Sequence, residues 1–348
     1  MKVRVCRFVA VGIVAAFALA GCSTQAGSEG GASPETSSEL SPELAELYEA
    51  AQQEGPLTWY GSYDPPSMEA AISAFESTYP GLRVDYLRLT SGQLNTRFSQ
   101  EIEANAPTAD VITVGDPLFV ATAGENEWLT PLERDELPSV AALDDEWYHD
   151  GFPTTVINVF GIAYNSDLVE EPPTSWEDVI DPAFKGKTVF GDYRAASLYA
   201  YQGALWAERE GMDYLEDLAA QDLIFVDSII PGIQKVASGE ALVALAVTPS
   251  TTTELVEAGA PIEVVFPDWY SIGELLSGIA SNTDAPSFSR LFVDFLLSEQ
   301  GQEALVSTGG ASPINSEGSI PLGDGYVRPD YEALPEDREL LQSVFNLP

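Results

Sequence analysis

LTWYGSYDPPSMEAAISAFESTYPGLRVDYLRLTSGQLNTRFSQEIEANAPTADVITVGDP, residues 57–117, is the stretch that decides the fold. It opens with a short apolar run, 57–60, that ends in the turn residues GSYDPP. Met68, Ile72, Phe75 and Tyr79 then recur at helical spacing until Pro80 and Gly81 stop the helix. A second strand over 82–89 runs into Thr90, Ser91 and Gly92, after which Leu94, Phe98 and Ile102 mark a second helix. Residues 110–114 make a third apolar strand, closed by Gly115, Asp116 and Pro117. Strands alternating with amphipathic helices predict a parallel sheet covered on both faces, an α/β fold.

Further along the chain the same grammar returns. Residues 156–164 read as a long strand, 187–190, 223–226 and 241–247 as further strands, and 195–209 and 229–238 as helices between them. Strands at 262–266 and 276–280 follow, and then one helix over 288–307 with Leu291, Phe292, Phe295 and Leu296 on a single face. No internal repeat of fixed period is present, and the segment after Asn315 reads as an extended tail on the surface. At 348 residues the chain is long enough for two domains.

Toward the start, Lys2, Arg4 and Arg7 precede an apolar run over 8–19, with no acidic residue before Glu29. This is the pattern of a secretory signal, its apolar core too short to span a bilayer comfortably. The run ends in LAGC, residues 19–22, which resembles the lipobox of bacterial lipoproteins, where cleavage precedes a cysteine that is then diacylated. Residues 1–21 are therefore expected to be a signal peptide, Cys22 a lipid anchor, and 22–42, rich in Ser, Gly, Glu, Thr and Pro, a flexible tether. Because Cys6 leaves with the signal, the mature chain has no second cysteine for a disulfide or a thiolate metal site.

Composition narrows the function. A formal charge of -40 lacks the positive footprint that nucleic acid or an anionic lipid surface requires, so neither is an expected partner and the membrane is met through the anchor alone. The 15 Phe, 14 Tyr and 6 Trp supply enough apolar material for large cores, which sets disorder aside. Gly186-Lys187-Thr188 lacks the earlier glycine of a phosphate loop and precedes a strand. His149 is the only histidine and reads as a surface residue among Asp144, Asp145, Glu146 and Asp150.

Ligands of open α/β sheets bind at the carboxyl ends of the strands. Those positions hold Ser62 and Tyr63; Thr90 and Ser91; Asp116; Tyr193 and Arg194; and Thr248, Ser250 and Thr251. Each group precedes a helix, so its hydroxyls either cap that helix or meet a ligand beside the backbone N–H groups. Lys185, Lys187, Arg209 and Arg338 read as surface, and Arg97 fits a helix face. Arg194, between a strand and a helix and ahead of Ser197, reads as an anion clamp, with a structural pair to Asp192 as its alternative.

The segments LTWYGSYDP (57–65), AFESTYPGLRVDYLRLTSGQL (74–94), ADVITVGD (109–116), GIAYNSDLV (161–169), PPTSWEDVIDPAFKGK (172–187), APIEVVFP (260–267) and FVDFLLSEQGQEALVSTGGASPIN (292–315), in this order, resemble bacterial solute-binding proteins of the ferric-iron type, which serve ABC importers. The resemblance implies a type II periplasmic-binding-protein fold: two α/β lobes, 43–158 with 268–348 and 159–267, joined by crossing strands at 156–164 and 262–266. It also implies a ligand cleft between the lobes and delivery of the solute to a permease by an extracytoplasmic, lipid-anchored monomer that is not an enzyme and has no resident cofactor.

Iron-binding relatives carry a tyrosine pair where this chain has Thr248, Pro249 and Ser250, and the remaining acids, Asp116 and Asp64, give few hard oxygens for ferric iron. The expected solute is instead a small organic anion such as a phosphonate, a sugar phosphate or a carboxylate. Ferric iron is the first alternative. An extracytoplasmic hydrolase using a carboxylate pair is the alternative of another class, disfavoured because the loops offer no activated nucleophile.

Overall fold

The computed structural model describes residues 40–347, so the signal segment, Cys22 and all but the last residues of the tether lie outside the described residues. The first part of the chain forms α1 (Pro42–Ala51), β1 (Leu57–Gly61), α2 (Pro65–Thr78), β2 (Val84–Arg88), α3 (Ser91–Glu103), β3 (Val111–Val114), α4 (Pro117–Glu125), β4 (Leu129–Thr130), α5 (Pro138–Ala142), β5 (Tyr148–His149) and β6 (Phe152–Val159). Next come β7 (Gly161–Asn165), β8 (Thr188–Gly191), α6 (Ser197–Arg209), α7 (Met212–Ala219), β9 (Ile224–Val226), α8 (Ile229–Ala237), β10 (Val243–Val247), α9 (Thr253–Glu257) and β11 (Ile262–Val265). The chain returns through β12 (Tyr270–Ala280), α10 (Pro286–Leu297), α11 (Glu299–Val306) and β13 (Tyr326–Val327), and ends in α12 (Leu334–Phe345).

Two sheets result, each the centre of an α/β lobe. One runs β2-β1-β3-β12-β6-β5, with β4 and β13 also on β12; the other runs β11-β7-β10-β8-β9. The expected parallel pairing holds for β2-β1-β3 and for β10-β8-β9, but β12 is antiparallel to β3 and β6, and β7 is antiparallel to β10 and β11. Both sheets are therefore mixed. The antiparallel pairs arise because the connecting strands enter and leave a lobe without a helical crossover, which parallel pairing would require.

Alternation along β1 builds the first lobe's two faces. Trp59 packs edge-on against Phe292, in the core that also stacks Phe75 on Phe288, whereas Tyr60 joins Leu94, Phe98 and Ile112 on the other face. The second lobe has its own core around Trp176, Phe190, Trp206 and Ile233. The run 156–164 is not one strand: it breaks at Phe160, whose N–H donates to the Ser271 carbonyl at 3.0 Å, and here the chain passes from sheet to sheet. It passes back between β11 and β12.

Other expectations fail as well. The helix over 288–307 is two helices, because Ser298 caps α11 by accepting from the Gly301 N–H at 3.1 Å and a continuous path is not followed. The C-terminal tail is not extended throughout. It ends in α12, which packs on α6 of the second lobe with Leu334 and Leu341 buried, although 268–348 was expected to lie with the first. Gly203 on α6 makes room: a Cβ there would lie 2.5 Å from Leu341 Cδ1. Ser41, at the end of the expected tether, already caps α1 through the Leu44 N–H.

Candidate functional site

The carboxyl ends of β1, β2, β6 and β10 meet between the lobes around a cavity of about 60 Å³. Beyond β1 the loop is pinned to β3, as the Ser62 N–H donates to the Thr113 carbonyl at 2.9 Å and Ser62 Oγ accepts from the Gly115 N–H at 2.9 Å. Asp64 caps α2, Oδ1 accepting from the Ser67 N–H at 3.0 Å, while its Oδ2 is buried with no hydrogen-bond partner among the described residues. Burial raises the Asp64 carboxyl, opposed by the bond from Ser67 and by the nearby Ser250 hydroxyl. The Tyr63 hydroxyl and Asn158 Oδ1, on residues that also line the cavity, are buried and unpartnered too.

Arg88 ends β2 and supplies the cavity's guanidinium. Its Nε donates to the Tyr63 carbonyl at 3.4 Å, and no carboxylate among the described residues lies within 4.0 Å of it. Burial lowers its pKa, opposed by Tyr199 and Asp64, but a guanidinium remains charged throughout. Tyr199 of α6 reaches the wall only because residue 191 is glycine: a Cβ at Gly191 would sit 2.1 Å from the Tyr199 ring.

The second lobe contributes hydroxyls through a bulge. Register shifts between Leu245 and Val247, and Ala246 takes a left-handed φ of 54°, a conformation a side chain adopts at some cost. The chain thereby turns Thr248, Ser250 and Thr251 to the cavity, with Thr248 Oγ1 and Ser250 Oγ 3.0 Å apart and Thr251 Oγ1 donating to the Thr248 carbonyl at 2.7 Å.

Of the residues singled out from sequence, Ser62, Tyr63, Thr248, Ser250 and Thr251 line this cavity. Asp116 and Ser197 come together, but as a bond between lobes: Ser197 Oγ donates to Asp116 Oδ2 at 2.6 Å. Asn95 Nδ2 donates to the same oxygen at 2.8 Å, the Phe119 N–H donates to Oδ1 at 3.1 Å, and Arg338, read as surface, reaches Ser197 Oγ at 3.2 Å. Tyr193 belongs to the second lobe's core, donates to Gln342 of α12 at 2.9 Å and does not line the cavity. Thr90 caps α3 in a capping box with Gln93, and Ser91 is buried in that helix's first turn. Arg194 takes up its alternative reading, bidentate to Asp192 with NH2 to Oδ2 at 2.6 Å. It lines an open groove of about 870 Å³ with Thr90, Arg97 and Asp227 instead of the cavity.

Arg88, Asn158 and Tyr199 were not among those candidates, and Asp64 was considered only as an oxygen ligand for ferric iron. Arg88 satisfied the criterion that singled out Arg194, a cation at a strand's carboxyl end; Tyr199, inside a helix, carried no sequence signal. His149 is not a bare surface residue, since its Nε2 lies 2.7 Å from Glu274 Oε2 on β12. Burial alone would raise the Glu274 carboxyl, but His149, Arg328 and a 2.7 Å bond from Thr154 outweigh it and hold it below its usual value. Among the described residues no three His, Cys, Asp or Glu side chains are grouped to hold a metal ion.

With this geometry in view, the model for the family described as bacterial extracellular solute-binding protein matches residues 61–303. An uncharacterised Haemophilus influenzae protein is 28% identical over 276 residues, 73% of this chain and 76% of that one. A Salmonella typhimurium protein, provisionally named as a 2-aminoethylphosphonate-binding periplasmic protein, is 26% identical over 176 residues, 49% of this chain and 47% of that one. Among solved structures, the fold is similar to the substrate-binding protein of an ABC transporter from Agrobacterium tumefaciens, with a TM-score of 0.73, 14% identity and coverage of 85% of this chain and 96% of that one. It is also similar to the fructose-6-phosphate-bound periplasmic binding protein AfuA from Actinobacillus pleuropneumoniae, with a TM-score of 0.71, 24% identity and coverage of 84% and 99%. The fold is thus that of a two-lobed type II periplasmic binding protein.

Proposed function

The chain belongs to the bacterial extracellular solute-binding proteins, and from that membership we propose that it captures a small organic anion between its two lobes and hands it to the permease of an ABC importer. The observation that carries the choice of ligand is Arg88: a guanidinium in the interlobe cavity, faced by hydroxyls and by no carboxylate at ion-pair distance. In such a cleft a charge-assisted bond is strong because water is excluded, and the acidity of the whole chain, screened beyond about 8 Å, does not cancel a contact at hydrogen-bond distance. The names of two relatives support the reading, one given for 2-aminoethylphosphonate and one for fructose 6-phosphate, both phosphorus oxoanions. In this reading Cys22 is diacylated, the chain acts as a monomer, and its body hangs outside the membrane on residues 22–42. Native mass spectrometry of the protein as purified, with a thermal-shift panel of phosphonates, sugar phosphates, carboxylates, polyamines and ferric salts, tests it. Stabilisation by ferric salts or polyamines alone would overturn the anion assignment.

A further inference from the structure

Resting on the reading of the interlobe cavity as an anion site, we propose that the solute is a short zwitterion, its anionic group on Arg88 and its ammonium group on Asp64. The cavity wall carries a guanidinium and a carboxylate that are not paired with each other within 4.0 Å. A plain anion would satisfy Arg88 and the hydroxyls of Thr248, Ser250 and Thr251, yet leave Asp64 Oδ2 and Asn158 Oδ1 buried without a donor. Buried acceptors of this kind are nearly always satisfied in a functional state, and a carboxylate left alone in a closed site is the costlier of the two. An ammonium group supplies three donors and the compensating charge. The Tyr63 hydroxyl, buried beside Asp64 and also unpartnered, adds a further polar atom to the same corner.

The test uses matched pairs that differ only by the amine: 2-aminoethylphosphonate against ethylphosphonate, 3-aminopropylphosphonate against propylphosphonate, and γ-aminobutyrate against butyrate. Calorimetry on the mature protein should find at least one amino member bound about tenfold or more tighter than its partner. Asp64→Asn keeps a side-chain oxygen for the α2 cap, so the fold survives, and it should abolish that preference, the amino and amine-free members of each pair then binding alike. Equal affinity within every pair, no binding of any amino member, or a preference that survives Asp64→Asn overturns the zwitterion. If amine-free anions or fructose 6-phosphate still bind and Arg88→Ala removes that binding, the anion reading stands and only the zwitterion falls. Anion binding indifferent to Arg88→Ala removes both.

Discussion

Ser197 Oγ donates to Asp116 Oδ2 at 2.6 Å, and the two residues stand on opposite lobes, one at the first turn of α6 and the other capping α4. Any motion that separates the two lobes here must break this bond. A hydrogen bond to a charged group in a buried setting contributes about 1.5–3 kcal/mol. Ser197→Ala is expected to favour the open form and weaken solute binding by about tenfold or more by calorimetry, with scattering showing a larger radius of gyration at subsaturating solute. Unchanged affinity and radius would remove the latch.

The two arginines separate cleanly. Arg88→Ala deletes the cavity's guanidinium and should cost about 2–5 kcal/mol, roughly thirtyfold or more in affinity for the anion. Arg194→Ala breaks a solvent-screened pair with Asp192 outside the cavity and should change affinity less than about fivefold. The reverse ranking in a calorimetric titration would return the clamp to Arg194.

Gly92 begins α3 on one lobe and faces the Ala195 carbonyl on the other, where an added Cβ would lie 2.8 Å from that oxygen. The obstacle is backbone and cannot rotate away. Gly92→Ala should therefore hinder closure with little effect on either lobe's own core, lowering affinity by about tenfold while the melting temperature without solute stays within a few degrees. Wild-type affinity in this variant would mean the lobes close differently.

Asp337 of α12 is pushed up to about 6, first by burial and then by Asp330 and Glu336. A carboxyl raised in the folded chain binds more protons folded than unfolded between about pH 4 and 6, so its effect is to lower stability as pH rises through that window. Asp337→Asn should raise the melting temperature at about pH 7 and shrink the gain seen on acidifying wild type to about pH 5. Identical pH profiles for the two proteins would assign the gain to the overall negative charge.

Cys22→Ser should release the protein from the membrane fraction, since the diacylglyceryl group and an N-acyl chain give the stable anchoring that one chain does not. Retention of the variant on membranes, checked by fractionation and blotting, would remove the lipid-anchor proposal.

The sequence by itself determined that the chain is α/β and two-lobed, because strand and helix periods are local: Met68, Ile72 and Phe75 mark α2, and the apolar runs mark β1 and β3, from neighbours alone. It also marked loops at the strands' carboxyl ends that line the interlobe cavity. Ser62, Thr248, Ser250 and Thr251 line the cavity because they follow strand ends, a property readable from order. Tertiary structure alone decided which cation enters the cavity. Arg88 and Arg194 both stand at strand ends, and only the folded chain brings Asp192 to one and leaves the other without an acidic partner at ion-pair distance. It alone decided that Asp116 and Ser197, 81 residues apart, bond to each other, and that α12 settles on the second lobe over Gly203. Those outcomes depend on pairings between distant segments, whose geometry is set by how two sheets pack, and no local period encodes it.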